Sequence, residues 1–418
     1  MVDAAEDGPA RPPGTPIGRR GFLKSAGLAA LPALLPTPEA AAAPPLPPPD
    51  LPTAAYPTAA YPTAGYPTAA DPWAAVPDPT DVPEPAADGD AVARLLSAPG
   101  PRDVRWLRRA LQIAVAVELA TIPPYLCAWW SVKDRTSEPA RLIQGIVGDE
   151  MFHMGLTCNL LTAVGGRPRI ASSVLGYPGP LPGGVRPDLT VYLSGLSKAY
   201  VRDVLMAIEA PELPLVRESG PTIGTFYTAL QDAFHEVRPV LDTAGQLSVR
   251  IGPDVLRPTA TLADVDEALE VIKEQGEGTS ASPDVPAGHG APAHYYAFGE
   301  IFHERRVVAS ADRWGYDGDP VPFPDARPMG VVPAGGWPDP PPAAGQLLGR
   351  FDLLFSRVVH ALEGAWAIGD PHALDGAVRS MRALEEPALA LMEIPLPDGS
   401  GVYGPQFRVL TRRPAGLS

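Results

Sequence analysis

Apolar residues recur at helical spacing over several long stretches of this sequence after residue 100. The first stretch, "RDVRWLRRALQIAVAVELATIPPYLCAWW", predicts an amphipathic helix that begins near residue 102. Pro123 and Pro124 lack the N–H donors that a helix needs, so we expect them to kink or interrupt this helix. The next stretch predicts a helix from Pro139 to Val164, because two glycines follow it as a stop signal.

The later stretches have the same helical periodicity and contain few signals for strands. "VRDVLMAIEAPELP" and "HYYAFGEIFHERR" predict a third and a fourth helix, and "LADVDEALEVIKEQGEG" predicts an amphipathic helix in the long insertion between them. Two more helices are expected at roughly 351–367 and 373–392. The pattern therefore predicts an all-α fold, a four-helix bundle with a long inter-helix insertion and additional C-terminal helices.

Ionisable residues interrupt the apolar faces of these helices. Glu150 and His153 lie on the apolar face of the second helix, with apolar neighbours one turn before and after. Glu118 and Glu209 occupy similar positions in the first and third helices, and Glu212 is an alternative to Glu209. An unpaired buried carboxylate is costly, so each acid must be protonated, paired or bound to a cation.

The fourth helix repeats the acid-x-x-histidine spacing with Glu300 and His303. In helical bundles, single glutamates from two helices and a Glu-x-x-His pair from each of two others form a di-iron or di-manganese centre. The predicted metal ligands, which would also carry the catalysis, are Glu118, Glu150, His153, Glu209, Glu300 and His303. One such pair alone is more typical of a surface ion pair or a packed histidine, but the whole set favours a metal site.

Other interpretations of these residues predict different properties. A structural bundle with hydrogen-bonded acids and histidines would purify without metal. Haem is less favoured than two iron ions, or two manganese ions, because several acids suit hard, multiply charged cations. His289 and His294 lie in a Pro/Gly-rich loop and are interpreted first as lid or surface residues, with the lining of the site entrance by one of them as the alternative. The aromatic residues near the predicted ligands are interpreted first as core, and second as the lining of a substrate cavity.

Composition excludes some partners. The chain has 418 residues, a formal net charge of -15 and a pI near 4.9, so it would repel nucleic acid. Its two cysteines, Cys127 and Cys158, are too few for a disulfide framework, and packed thiols are favoured over a bridge. No phosphate-binding loop or dinucleotide fingerprint suggests another chemistry.

The N-terminal region is predicted to contain a signal and a tether. "RRGFLKSAGLAALPALL" resembles a twin-arginine export signal, and its apolar run is too short for a stable membrane span. The following "YPTAAYPTAGYPTAA" is typical of an extended spacer. We therefore predict a signal peptide at 1–43, a disordered linker at 44–90 and the helical domain at 91–410. The resemblance implies an exported protein, a partnership with the twin-arginine machinery, and insertion of any metal before export.

Several ordered motifs resemble those of the ferritin-like domain family named for iminophenyl-pyruvate dimer synthase. They are "VELATIPPYLCAWWSV", "IVGDEMFHMGLTCNLLTAVGGRPRI", "LMAIEAPE", "TIGTFYTAL", "VIKEQGEGTS" and "HYYAFGEIFHERR", followed later by "EIPLPDGSGVYGPQF". The resemblance implies a ferritin-like four-helix bundle with the six predicted ligands at its metal-binding positions. In the bisindole-pigment members it also implies oxidative coupling of two imines derived from an aromatic amino acid.

These observations lead to a functional hypothesis. We expect a non-haem di-iron oxidoreductase whose partners are dioxygen and a small-molecule substrate, with an aromatic amine or imine as the candidate substrate. The alternative is a metal-binding or iron-oxidising protein without an organic substrate, which predicts the same ligands but no substrate-sized pocket beside them. The sequence leaves the oligomeric state open.

Overall fold

The structure is a computed structural model, and it describes residues 90–97, 100–211, 220–277, 292–310 and 313–410. The predicted signal at 1–43 lies outside the described residues, as does all of the predicted linker except residue 90. Glu212 and His289 also lie outside them.

The first two helices are α1 (Ala91–Ser97) and α2 (Val104–Ser131). Asp103 starts α2, because its side chain accepts a 2.8 Å hydrogen bond from the backbone N–H of Trp106. By length and composition α2 is the one described helix that could cross a membrane, but its most apolar stretch is completely buried inside the protein. This burial is typical of a core helix.

Of the two effects predicted for the prolines of α2, a kink or an interruption, the interruption is wrong. The helix continues through Pro123 and Pro124 to Ser131, and both prolines are buried. Because Pro124 has no N–H, it cannot donate to the carbonyl of Ala120 four residues earlier. The hydroxyl of Tyr177 donates to that carbonyl instead, at 2.7 Å. A side chain from another segment thus replaces the missing backbone donor.

The second long helix, α3 (Glu138–Ala163), confirms the prediction of a helix at 139–164. Gly165 follows it with a φ of 74°, a backbone conformation that favours glycine and ends the helix. The helices α2 and α3 form the most extensive helix pair of the fold. This pair provides the frame on which the acids and histidines are placed.

Three consecutive helical segments make up the third predicted helix. They are α4 (Lys198–Tyr200), a π-helical turn (Val201–Leu205) and α5 (Met206–Glu209). The N–H of Met206 bonds to the carbonyl of Val201, which is the wider i to i+5 pattern of a π-turn. The π-turn and α5 both pack against the fourth predicted helix, α8, which runs from His294 to His303.

The insertion between the third and fourth helices contains two further helices. They are α6 (Ile223–Val237), which packs on α2, and α7 (Leu262–Glu277), which packs on α3, α6 and α8. The helix α7 confirms the amphipathic helix expected there. It ends beside the third helix, since a Cβ added to Gly276 would lie 3.2 Å from a carboxylate oxygen of Glu209.

The C-terminal part adds α9 (Pro342–Ile368), α10 (Pro371–Arg382) and α11 (Glu385–Leu391), so the last predicted helix is divided in two. Most of their buried apolar residues belong to the same core as those of α2 and α3, while Ala344, Leu348 and Leu391 form a smaller cluster with Tyr403. Cys127 and Cys158 are free and buried, as expected for packed thiols.

The strands that the structure describes form three short antiparallel pairs: β1 (Gly179–Pro180) with β2 (Thr190–Val191), β3 (Val249–Ile251) with β4 (Asp254–Leu256), and β5 (Val308–Ala309) with β6 (Trp314–Gly315). The all-α prediction is confirmed.

Candidate metal centre

The pairing of α2 with α3 brings three ionisable side chains together in the core. Glu118 comes from α2, while Glu150 and His153 come from α3, and all three are buried. Nδ1 of His153 lies 3.6 Å from Oε2 of Glu118 and 3.7 Å from Oε1 of Glu150. We call this group the His153 triad; one ligand atom from each residue lies within 4.8 Å of the others.

A second group shares Glu150 with the first. Glu209, at the end of α5, and His294, at the start of α8, complete it, and both side chains are buried. Nδ1 of His294 lies 2.9 Å from Oε1 of Glu150 and 3.8 Å from Oε1 of Glu209. We call this group the His294 triad; its ligand atoms also lie within 4.8 Å of one another. Two potential ion positions thus adjoin one common carboxylate.

Hydroxyl groups contact all three carboxylates of the two triads. The buried Tyr227 donates to Oε1 of Glu118, and the buried Tyr125 donates to Oε1 of Glu209. Thr121, one turn after Glu118 on α2, donates to Oε2 of the shared Glu150 at 2.7 Å. These contacts fix the orientation of the acids, as outer partners of metal ligands commonly do.

The second ring nitrogen of each histidine also has a partner. Nε2 of His153 lies 2.6 Å from Oε1 of the buried Gln275 on α7. Nε2 of His294 lies 3.3 Å from Oδ2 of Asp149 on α3. Since each Nε2 faces an acceptor, Nε2 carries a proton, and Nδ1 of each ring is directed toward the acids.

The electrostatics reflect acids and imidazoles buried together. Burial raises the pKa of Glu118 to about 7, against the opposing influence of His153 and Tyr227. Burial also disfavours the charge on Glu150, but its two imidazole neighbours hold the pKa of this carboxyl well below its usual range. His153 loses hydration through burial, yet the adjacent carboxylates raise its pKa to about 10. The pKa of His294 is likewise raised by Asp149, Glu150 and Glu209, despite burial.

These groups suit hard metal ions. Three carboxylates and two imidazoles are a donor set typical of iron or manganese. Nδ1 of His294 is buried 2.9 Å from Oε1 of Glu150 but makes no hydrogen bond of good geometry, so loss of its proton would leave a donor atom directed at the acids. A cavity of about 20 Å³ adjoins the two triads, and its lining includes the apolar Val117, Ile208 and Ile272 as well as Lys273. Space of this size holds one water-sized molecule.

The structure brings four of the six predicted ligands together: Glu118, Glu150, His153 and Glu209. It does not bring Glu300 and His303 to this cluster. At about 100° per residue, Glu300 lies about 120° and His303 about 180° around α8 from His294. The carboxylate of Glu300 instead accepts bonds from Arg306 and from the backbone N–H of Val307, each at 2.9 Å. His303 stacks on Tyr316, with ring centroids 4.2 Å apart.

Sequence reasoning missed His294 as a member of the cluster. Its Pro/Gly-rich surroundings predict a lid or surface residue, but His294 is the first residue of α8 and is buried. The usable signal was its position at the start of an apolar helix, on the helical face of Ala297 and Ile301, both of which are buried. Tyr227 and Gln275 carried no comparable signal.

Comparisons with known proteins agree with this architecture. A family model described as ferritin-like matches residues 111–303, a range that includes every residue of both triads. No curated protein sequence matches the chain. The crystal structure of a ferritin-like protein from Caulobacter vibrioides matches with a TM-score of 0.54 and 23% sequence identity, over 73% of this chain and 97% of that chain. The chain therefore has a ferritin-like fold, and within it a buried Glu/His cluster that could bind a dinuclear metal site.

Proposed function

We propose that this protein is a dinuclear-metal oxidoreductase, with iron as the metal. The observation that carries the proposal is the sharing of Glu150 between the His153 triad and the His294 triad. A carboxylate held in common lets two ions sit side by side, as di-iron and di-manganese bundles require. Burial supports the proposal, because three acids enclosed in the core need positive charge nearby.

Two bound iron ions would supply the redox chemistry, including the electrons for reducing dioxygen. The residues of the chain hold those charges and control the surroundings. The three carboxylates would balance much of the positive charge, and apolar side chains such as Val117, Ile208 and Ile272 form part of the lining of the adjoining cavity. Thr121 lines the same cavity, so its hydroxyl can hold or pass a proton at Oε2 of Glu150.

Two kinds of molecule are candidates for the reductant that supplies electrons to the centre. Resemblance to the family of iminophenyl-pyruvate dimer synthase supports an aromatic amine or imine. The small cavity supports a second candidate, iron oxidation without an organic substrate, because the space beside the triads suits a molecule as small as water or dioxygen. An aromatic substrate would need to bind outside this space and exchange electrons with the centre.

Elemental analysis tests the metal site, and the chain offers a matched control. Protein purified without added metal should contain about two iron or manganese ions per chain. The Glu150→Gln/His153→Gln variant should lose them, while Glu300→Gln/His303→Gln, which changes the same residue types at the same spacing, should retain them. Well-folded wild-type protein without metal, and without affinity for added iron, would instead support a structural bundle.

Oxygen consumption distinguishes the two reductants. Metal-free protein should be given ferrous iron in steps, and dioxygen uptake followed with and without an aromatic amine. Uptake that stops after one filling of the site and resumes with the amine supports an organic substrate. Continued uptake with ferrous iron alone, unchanged by a panel of amines, supports iron oxidation. No uptake under either condition would contradict the oxidoreductase proposal.

We also propose that the protein acts outside the cytoplasm, on the basis of the segment that resembles a twin-arginine signal. Residues 1–43 fused to a folded reporter should direct its export, and the Arg19→Lys/Arg20→Lys fusion should remain inside. Equal export of both fusions would contradict the twin-arginine assignment.

A further inference from the structure

The two triads are closely matched in their inner parts. Each contains one glutamate of its own, one histidine and the shared Glu150. A buried tyrosine hydroxyl donates to each unshared glutamate, and each histidine directs Nδ1 toward the acids. An ion in either triad would therefore meet the same types of donor atom.

The triads differ in the groups behind the histidines. His153 faces a neutral amide, Gln275, while His294 faces a carboxylate, Asp149. Asp149 immediately precedes Glu150 in α3, and its side chain is 24% exposed, so water reaches part of it. An imidazole whose N–H donates to a carboxylate is a stronger ligand than one whose N–H donates to an amide, because negative charge increases electron density at the other nitrogen.

From this difference, and resting on the proposed function, we propose that Asp149 is a positioning residue that makes the His294 triad the tighter of the two metal positions. The first ion enters the His294 triad, and the second enters the His153 triad with lower affinity.

Charge balance leads to the same order. Two divalent ions bring four positive charges, whereas the three carboxylates of the triads supply at most three negative charges. Asp149 supplies the fourth, on the side of His294. Gln275 adds no charge on the side of His153, although its contact is the shorter one and it is more deeply buried. A shorter contact orients the ring better, but only a carboxylate adds charge that attracts a cation.

Stepwise titration of metal-free protein with cobalt(II) tests the proposal, because absorption bands of the bound ion report each filled position. Two phases are expected, separated by about 10- to 100-fold in affinity, the usual effect of an outer partner. Asp149→Asn keeps an oxygen that can accept from His294 and removes the charge, so the first phase should weaken by about tenfold. Gln275→Glu should strengthen the second phase, and the double variant should reverse the order.

Single-position variants identify the phases. His153→Ala should retain the tight phase and lose the weak one, while His294→Ala should lose the tight phase. Asp232→Asn, which removes an exposed charge on α6, serves as the matched control and should change neither phase. Thermal unfolding of each metal-free variant separates a folding defect from a change in affinity.

The outcomes separate this inference from the proposed function. Absence of cobalt and iron binding by folded wild-type protein would overturn both. Two ions of equal affinity, with neither phase altered by Asp149→Asn, would overturn the order proposed here and leave the dinuclear site intact. Tight binding that survives in His294→Ala and disappears in His153→Ala would also overturn it.

Discussion

The chain contains two Glu-x-x-His motifs with different surroundings. Glu150 and His153 face the interior between helices, close to further acids and to a second histidine. Glu300 is equally buried, but it is paired with a guanidinium and a backbone N–H, and His303 packs on an aromatic ring. The same spacing thus supplies a candidate metal site in one helix and a structural anchor in another. What differs is the side of the helix that faces other ligands.

The largest expected effect distinguishes Glu150, the ligand shared by both triads, from the structural residue Glu300. Glu150→Ala should remove both ions, because both triads use this carboxylate, whereas Glu300→Ala should leave the metal content unchanged. Elemental analysis after dialysis measures the difference. Retention of one ion by Glu150→Ala would show that the triads bind independently.

The second prediction concerns pH. The Nδ1 atoms of His153 and His294 must lose their protons before they can bind an ion, and the pKa of His153 is raised to about 10. Metal affinity should therefore rise with pH by about tenfold per unit for each proton displaced. Competition titrations with a chelator between about pH 6.5 and 8.5 measure the slope. The Glu300→Gln/His303→Gln variant should have the wild-type slope.

The stability of protein stripped of metal should have the opposite pH dependence. The folded pKa of His153 exceeds its ordinary value of 6.5, so its stabilising contribution is complete below that value and is lost as the pH rises toward about 10. Urea unfolding across this range, compared between wild type and His153→Gln, isolates the contribution. An identical pH profile in both proteins would contradict the assigned pairing.

The fourth prediction tests the contacts that hold Glu300. Arg306 bonds to Glu300 and also to Glu138 at the start of α3, so Arg306→Met leaves the buried Glu300 without its guanidinium partner. We expect a loss of about 2 kcal/mol in the free energy of unfolding, with metal content unchanged. Arg313→Met is the matched control: its pair with Asp317 is exposed, and its removal should cost less than about 0.5 kcal/mol.

The smallest expected effect concerns His303. Its ring stacks on Tyr316, so His303→Ala should lower the free energy of unfolding by roughly 0.5–1 kcal/mol. Urea unfolding measures this loss, and elemental analysis should find the wild-type amount of metal. A loss of metal would place His303 in the function of the centre after all.

Much of the fold follows from local patterns. Helical periodicity and the glycine stop signal located α3, because a long, strongly amphipathic segment has few alternatives. Continuation of α2 through two prolines was not predictable, since the compensating donor, Tyr177, comes from a distant segment. The division between α10 and α11 depends on packing that a periodic pattern does not contain.

The site was predictable where charge interrupts an apolar face. Glu118, Glu150 and Glu209 stand out because carboxylates are rare in such positions. Glu300 stands out equally, and sequence spacing cannot distinguish an acid neutralised by an arginine from one directed at a cation. Tyr227, by contrast, resembles an ordinary core residue, because its position in an apolar stripe does not indicate that its hydroxyl donates to Glu118.

The π-turn before α5 has a consequence for how a metal-binding bundle could arise. Such a turn contains one residue more than an α-helical turn, so every following side chain is rotated by about 100° around the helix axis. Glu209 lies four residues after this turn and owes its direction to it. Insertion of a single codon is therefore enough to move an acid from the flank of a helix to its inner face. The third helix of this protein has the form that such an ancestral insertion would leave.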